Sequence, residues 1–175
     1  MKRQEEGKNT KIIYNILFYG VMILYFLILF ALLFHKKSIG SFRSINLIPF
    51  RTISSYLFSD YLLQRSFALS NLLGNIVIFI PMGIYFPLLI RKKSVFMNTL
   101  SILFISTLVE VFQYMFAVGA TDIDDVILNT LGGLIGVIFF RILDFIFKDQ
   151  TKNRITILAP IGGIAALLIL LLYSM

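Results

Sequence analysis

The sequence predicts an all-α integral membrane protein, a bundle of about five transmembrane helices with one longer external loop. Three observations predict it. The chain is 58% hydrophobic and only 14% charged, where soluble globular domains carry about 25% charged residues, and its mean hydropathy is +0.89. Five apolar runs are each long enough to cross a hydrocarbon core of about 30 Å, which takes about 20 helical residues. The basic residues gather between these runs rather than within them, as they do at cytoplasmic helix ends.

The first run extends from about Ile12 to Phe34, behind Lys2, Arg3, Lys8 and Lys11. The basic leader suggests a signal peptide, but the apolar stretch is too long and no small-x-small cleavage site follows, so a retained helix is expected. The remaining runs are Leu69 to Ile90, Val95 to Val118, Asp124 to Phe147 and Ile155 to Tyr173. Together they read as one membrane domain over 1–175. Pro81 and Pro87 should kink the second helix or free its carbonyls, which neighbouring helices can satisfy. The 36–70 loop carries Ile53, Leu57 and Tyr61 at a four-residue repeat, with Tyr56 and Leu63 near that face. This is the pattern of an interfacial amphipathic helix, the alternative being a disordered connector. Gly132 and Gly136, and Gly162 and Ala166, are small-xxx-small pairs that let helix backbones approach closely in lipid.

Orientation follows from Lys and Arg. The amino terminus, the Arg91-Lys92-Lys93 turn and the Lys148–Arg154 turn share one side if every run spans. They hold ten basic residues against five in the 36–70 loop. The amino terminus is therefore expected in the cytoplasm of a cell-membrane protein and the carboxyl terminus outside. The net charge of +7 then reflects membrane orientation, and no nucleic-acid motif is present. The chain has no cysteine and one histidine, His35. That removes disulfides and thiolate metal sites and leaves almost no material for a His-based zinc site or a single-chain Ser-His-Asp triad. Neither a metal nor a cofactor is expected.

Polar groups inside apolar spans point to function, because a charged side chain at mid-bilayer costs about 2.5–3.5 kcal/mol on insertion scales. Glu110 and Gln113 lie three apart, on one face of the third helix. Asp122, Asp124 and Asp125 cluster where the fourth begins. Thr121 or Asp122 can cap that helix and acids suit its first turn, yet three acids in four residues exceed what capping requires. Asp122 and Asp125 are the favoured functional pair, with Asp124 behind them, and Asn129 lies one turn deeper than Asp125. Asn71 and Asn75 occupy the start of the second helix. The loop adds Arg43, Asn46 and Arg51. If every run spans, all these groups fall in the outer half and can converge on one polar pocket at the membrane surface.

Four segments in order resemble the VanZ-like family: Arg43-Ser-x-Asn46-Leu-x-Pro49-Phe50, Asn75-Ile-Val-Ile-Phe-Ile-Pro81-Met-Gly83, Glu110-x-x-Gln113, and Gly119-Ala-Thr-Asp122-Ile-Asp-Asp125-Val-Ile-Leu-Asn129-Thr-Leu-Gly132-Gly133. The resemblance covers nearly the whole chain. It implies reduced susceptibility to teicoplanin and related lipoglycopeptides in Gram-positive bacteria, without a settled mechanism or a proven catalytic residue. Some members carry an Arg shortly before the first Asp. Here Ala120 and Thr121 stand in that stretch, so either a loop arginine such as Arg51 takes that role or the role is absent.

Three functions compete. The first is binding or shielding at the outer membrane surface, with Arg43, Asn46, Arg51, Asn75, Glu110, Gln113, Asp122, Asp125 and Asn129 as ligand-binding candidates. Its partners would be membrane lipids, a lipid-linked cell-wall precursor or a glycopeptide, and Arg43, Arg51 and Arg65 would meet phosphate or another anion. The second is an intramembrane enzyme acting on a lipid, with Glu110 and Asp125 or Asp122 as an acid–base pair or as oxygen ligands for a divalent cation. The third is a transporter, which needs a homo-oligomer for which the Gly132/Gly136 face offers a contact.

Overall fold

A computed structural model describes residues 2–34, 45–58, 62–90, 94–117 and 121–158. The element order is α1 (Lys2–Phe34), β1 (Ile45–Asn46), α2 (Arg51–Leu57), α3 (Leu62–Ile90), α4 (Val95–Met115), β2 (Thr121–Asp122) and α5 (Ile123–Phe147), followed by a 3₁₀ turn over Lys148–Gln150 and helical residues 151–158. Among the described residues four stretches are long and apolar enough to cross a membrane: Ile12–Phe34, Asn71–Ile90, Val95–Met115 and Ile123–Leu158. The protein is an all-α membrane bundle.

Two expectations change in detail, and a third lies mostly outside the described residues. The second helix begins at Leu62 rather than near Leu69, so Asn75 sits well inside it. The helix expected across Ile53, Leu57 and Tyr61 forms at Arg51 but ends at Leu57, and Tyr61 lies outside the described residues. The fifth span is described only over its first residues, 155–158; the rest, with Gly162 and Ala166, lies outside them, as do Arg43 and the side chain of Arg65. Both α3 prolines are accommodated without ending the helix.

The chain divides into two compact units, Met1–Ile28 with Ile142–Met175 and Leu29–Arg141. In the first, Phe18, Leu143 and Ile155 are buried. Lys152 donates to Asn15 Oδ1 at 2.8 Å and lies 4.6 Å from the Phe18 ring centre and 4.9 Å from that of Tyr19. A cation over aromatic faces ties this basic turn to α1.

The second unit carries the polar groups. Its α4 is inverted relative to a soluble amphipathic helix. The buried stripe is Asn98, Ile102, Ser106, Glu110 and Gln113, while Phe96, Phe104, Leu108, Phe112 and Met115 face outward. Lipid takes up apolar side chains, so the polar ones turn toward other helices. Packing of α5 on α3 depends on glycine. A Cβ at Gly132 would strike the carbonyl oxygen of Ile76, one at Gly136 that of Ile80, and one at Gly83 that of Gly133. Without side chains, the backbones come close enough for Cα–H···O contacts. The Gly132/Gly136 face is therefore occupied within the chain by α3, so it does not supply the oligomer contact that the transporter reading invoked.

Candidate functional site

The site is built where α4 ends and α5 begins. β1 and β2 pair in parallel there, Ile45 with Thr121 and Asn46 with Asp122. This short pairing joins the loop after α1 to the turn before α5, which lie 76 residues apart for Asn46 and Asp122.

Asp122 caps α5 by accepting from the Asp124 backbone N–H at 2.9 Å, satisfying one of the donors a helix start leaves free. The same carboxylate accepts from Asn46 Nδ2 at 3.1 Å and from Thr52 Oγ1 at 2.5 Å. Asn46 Nδ2 also donates to Thr52 Oγ1 at 3.0 Å, and Asn46 Oδ1 accepts from the Ile48 backbone at 3.3 Å. The Asp122 backbone N–H donates to Glu110 Oε2 at 3.1 Å, and Thr121 Oγ1 to the Glu110 carbonyl at 3.4 Å. Glu110, 4% exposed, thus receives the turn that precedes α5.

Asp124 takes a role that the sequence reading assigned to none of the three acids. It is fully buried and accepts three backbone N–H bonds, from Phe50 at 2.5 Å, Thr52 at 2.8 Å and Ile53 at 3.0 Å. Its carboxylate from α5 caps α2, whose own N-cap residue, Phe50, supplies no side-chain bond. Phe50 adopts φ 64°, a left-handed conformation that costs a non-glycine residue about 1–2 kcal/mol. That conformation aims the three N–H groups at one carboxylate, and the charge-assisted bonds offset its cost. The acid also counters Arg51, a cation at the first position of α2 where the helix dipole disfavours positive charge.

The remaining candidates pair off around this network. Asn75 Nδ2 donates to Asp125 Oδ1, joining α3 to α5. Asn129 Nδ2 donates to Ser106 Oγ at 3.0 Å, joining α5 to α4 deeper in the bundle. Gln113 does not join the acids; its Nε2 donates to the Leu33 carbonyl at 2.7 Å, one of the carbonyls the last turn of α1 leaves free. The structure therefore brings Asn46, Glu110, Asp122, Asp125 and Asn75 to one end of the unit, with Asn129 one step below and Gln113 beside them. Arg51 is exposed. Sequence reasoning did not single out Thr52 and Ser106, and it did not foresee Asp124 as the cap of α2. The visible signal for Asp124 was its place in an acid triplet, but only the loop's return to α5 gives it a role.

Among the described residues no three His, Cys, Asp or Glu side chains converge as ligands to a metal ion do. The donors to Asp122 and Asp124 are backbone N–H groups, Asn46 and Thr52. The arrangement does one thing directly: it holds the 45–53 segment rigidly against the end of the bundle, with Leu47, Ile48, Phe50 and Arg51 outward.

Fold and site define a polytopic helical membrane protein whose first interhelical loop is locked to its last described long helix by two carboxylates, buried Asp124 and half-buried Asp122. The family model for VanZ/LLP1 matches residues 14–144, and the chain belongs to this family. It is 30% identical over 166 residues to Protein VanZ of Enterococcus faecium, covering 91% of this chain and 93% of that protein. No solved structure matches it.

Proposed function

We propose that this protein lowers susceptibility to teicoplanin-type glycopeptides by binding or shielding at the outer surface of the cell membrane. The observation that carries the reading is the locked loop. Half-buried Asp122 and buried Asp124 are used on neutral donors of residues 46–53, and the product is a fixed surface of Arg51 and apolar side chains. Preorganisation of this kind lowers the cost of binding, and Arg51 suits a lipid phosphate or another anion. The partners would be membrane lipids or a lipid-linked cell-wall precursor. Family membership supports the link to glycopeptides.

The test is expression of wild type, Arg51→Ala and Glu110→Gln in a susceptible Gram-positive host at matched membrane levels. Wild type should raise teicoplanin tolerance more than vancomycin tolerance. Arg51→Ala should lose most of the gain although its protein accumulates normally. Unchanged tolerance with wild type would remove the reading.

Orientation is checked separately. The amino terminus is placed in the cytoplasm and the 45–58 segment outside, by the excess of Lys and Arg. Because the chain lacks cysteine, Ser55→Cys and Lys93→Cys each create a single thiol. An impermeant maleimide applied to intact cells should label the first and spare the second; the reverse pattern would invert the orientation and remove the outer surface from the proposal.

A further inference from the structure

The locked loop lies at a depth that two helices measure independently. Asp122 bonds to Glu110 of α4, and Asp125 to Asn75 of α3. Glu110 follows Val95, the start of α4, by 15 residues, and Asn75 precedes Ile90, the end of α3, by 15. At 1.5 Å per residue both separations are about 22 Å. Ile90 and Val95 flank the basic turn 91–93, which marks one membrane boundary. A hydrocarbon core of about 30 Å therefore continues about 8 Å beyond the network, and helix tilt only shortens the 22 Å. The apolar spans agree. On α3 the span continues past Asn75 to Asn71, and on α4 past Glu110 to Met115.

At this depth the loop presents large apolar groups. Leu47 is 68% exposed, Ile48 58% and Phe50 59%. In water such a cluster would be costly at about 25 cal/mol per Å². Irregular backbone is tolerated at membrane depth where protein satisfies its polar groups. Asp124 satisfies the N–H groups of Phe50, Thr52 and Ile53, and Asn46 that of Ile48. The exposed belt is continuous in kind with Phe112 and Met115 on the same end of α4.

We infer that residues 47–50 form a wedge inserted among lipid acyl chains below the headgroups, with Arg51 reaching up to lipid phosphate. The occupant of this surface is the bilayer itself. Long basic side chains extend to the interface in this way while their stems stay in the apolar layer. The Asp122 and Asp124 carboxylates hold a partly re-entrant segment in lipid. This placement rests on the spans and the hydrogen bonds, and it stands or falls apart from any role in drug susceptibility.

The chain has no tryptophan, so each introduced one is a unique reporter. Leu47→Trp, Phe50→Trp and a reference, Phe104→Trp on the outward face of α4, would be purified as the full chain. Each would be reconstituted into phosphatidylcholine–phosphatidylglycerol vesicles with and without acyl-brominated lipid. Both loop reporters should lose emission to acyl bromine to an extent comparable with the reference, emit at blue-shifted wavelength and resist aqueous iodide. Quenching by iodide with no effect of bromine would place the loop in water and overturn the inference. Protection from both quenchers would also overturn it, because the tip would then be covered by protein. Two reporters on exposed positions guard against one variant failing to fold.

Discussion

Asp124→Ala is expected to release the loop from the bundle and destabilise the protein by about 3 kcal/mol. The carboxylate accepts three backbone N–H bonds while fully buried. Hydrogen bonds to a charged group contribute about 1.5–3 kcal/mol each, and donors left unpaired in a buried place add a desolvation cost. The three are not additive, because α2 can fray and let water or lipid headgroups reach some donors. The left-handed Phe50 would also lose the bond that holds it there. Thermal unfolding in detergent reads the stability, and trypsin cleavage after Arg51 reads the loop. Asp124→Asn should fall between the two, since the amide keeps one acceptor but loses the charge. Thr52→Val removes only the bond to Asp122 along with the one from Asn46, and should cost about 1 kcal/mol. The exposed Asp149 serves as control. A wild-type melting curve and unchanged proteolysis for Asp124→Ala would show that the cap is not made.

The second large effect is expected at glycine. Gly132→Ala and Gly136→Ala should each destabilise by roughly 3 kcal/mol, at the upper end of overpacking costs. The new methyl meets a backbone carbonyl oxygen, of Ile76 or Ile80, and backbone cannot change rotamer to yield. The helices must part, and the loss spreads to the Asn75–Asp125 bond, about two turns before Gly132 on α5, since it links the same two helices. Gly74→Ala makes the opposite test, for nothing lies within 4 Å of its added Cβ. There the helix gains about 0.5–1 kcal/mol, because alanine has less backbone entropy to lose. Unfolding of the three variants in detergent should separate them in sign. If Gly132→Ala proved as stable as Gly74→Ala, the close approach of α3 and α5 would be refuted.

These two predictions mark how far sequence reading reached. Five apolar runs and a helical membrane bundle follow from composition and run length alone, because lipid permits few other ways to satisfy backbone polar groups; among the described residues four stretches are long and apolar enough to span. The polar residues of the hydrogen-bond network were also visible, since an acid or amide within an apolar run is costly enough to stand out; Glu110, Asn75 and Asp122 all take part in it. Gly132 and Gly136 showed as a pair that invites close packing.

What the sequence could not decide was which partner each group takes. Asp124 looked like the least needed acid of its triplet because, along the chain, Asp122 already suffices as the α5 cap. Only the pairing of Asn46 with Asp122, across 76 residues, returns Phe50, Thr52 and Ile53 to Asp124 and makes it the cap of α2. Gln113 shares a helix face with Glu110, yet it turns to the end of α1. The glycine pair reads equally well as a contact between copies or within one, until α3 is found to occupy it. Hydropathy and spacing depend on the chain's own order, so they determined the spans and the candidate groups. Hydrogen-bond partners depend on distances closed by the loop and by glycine packing, and those were decided by the tertiary structure.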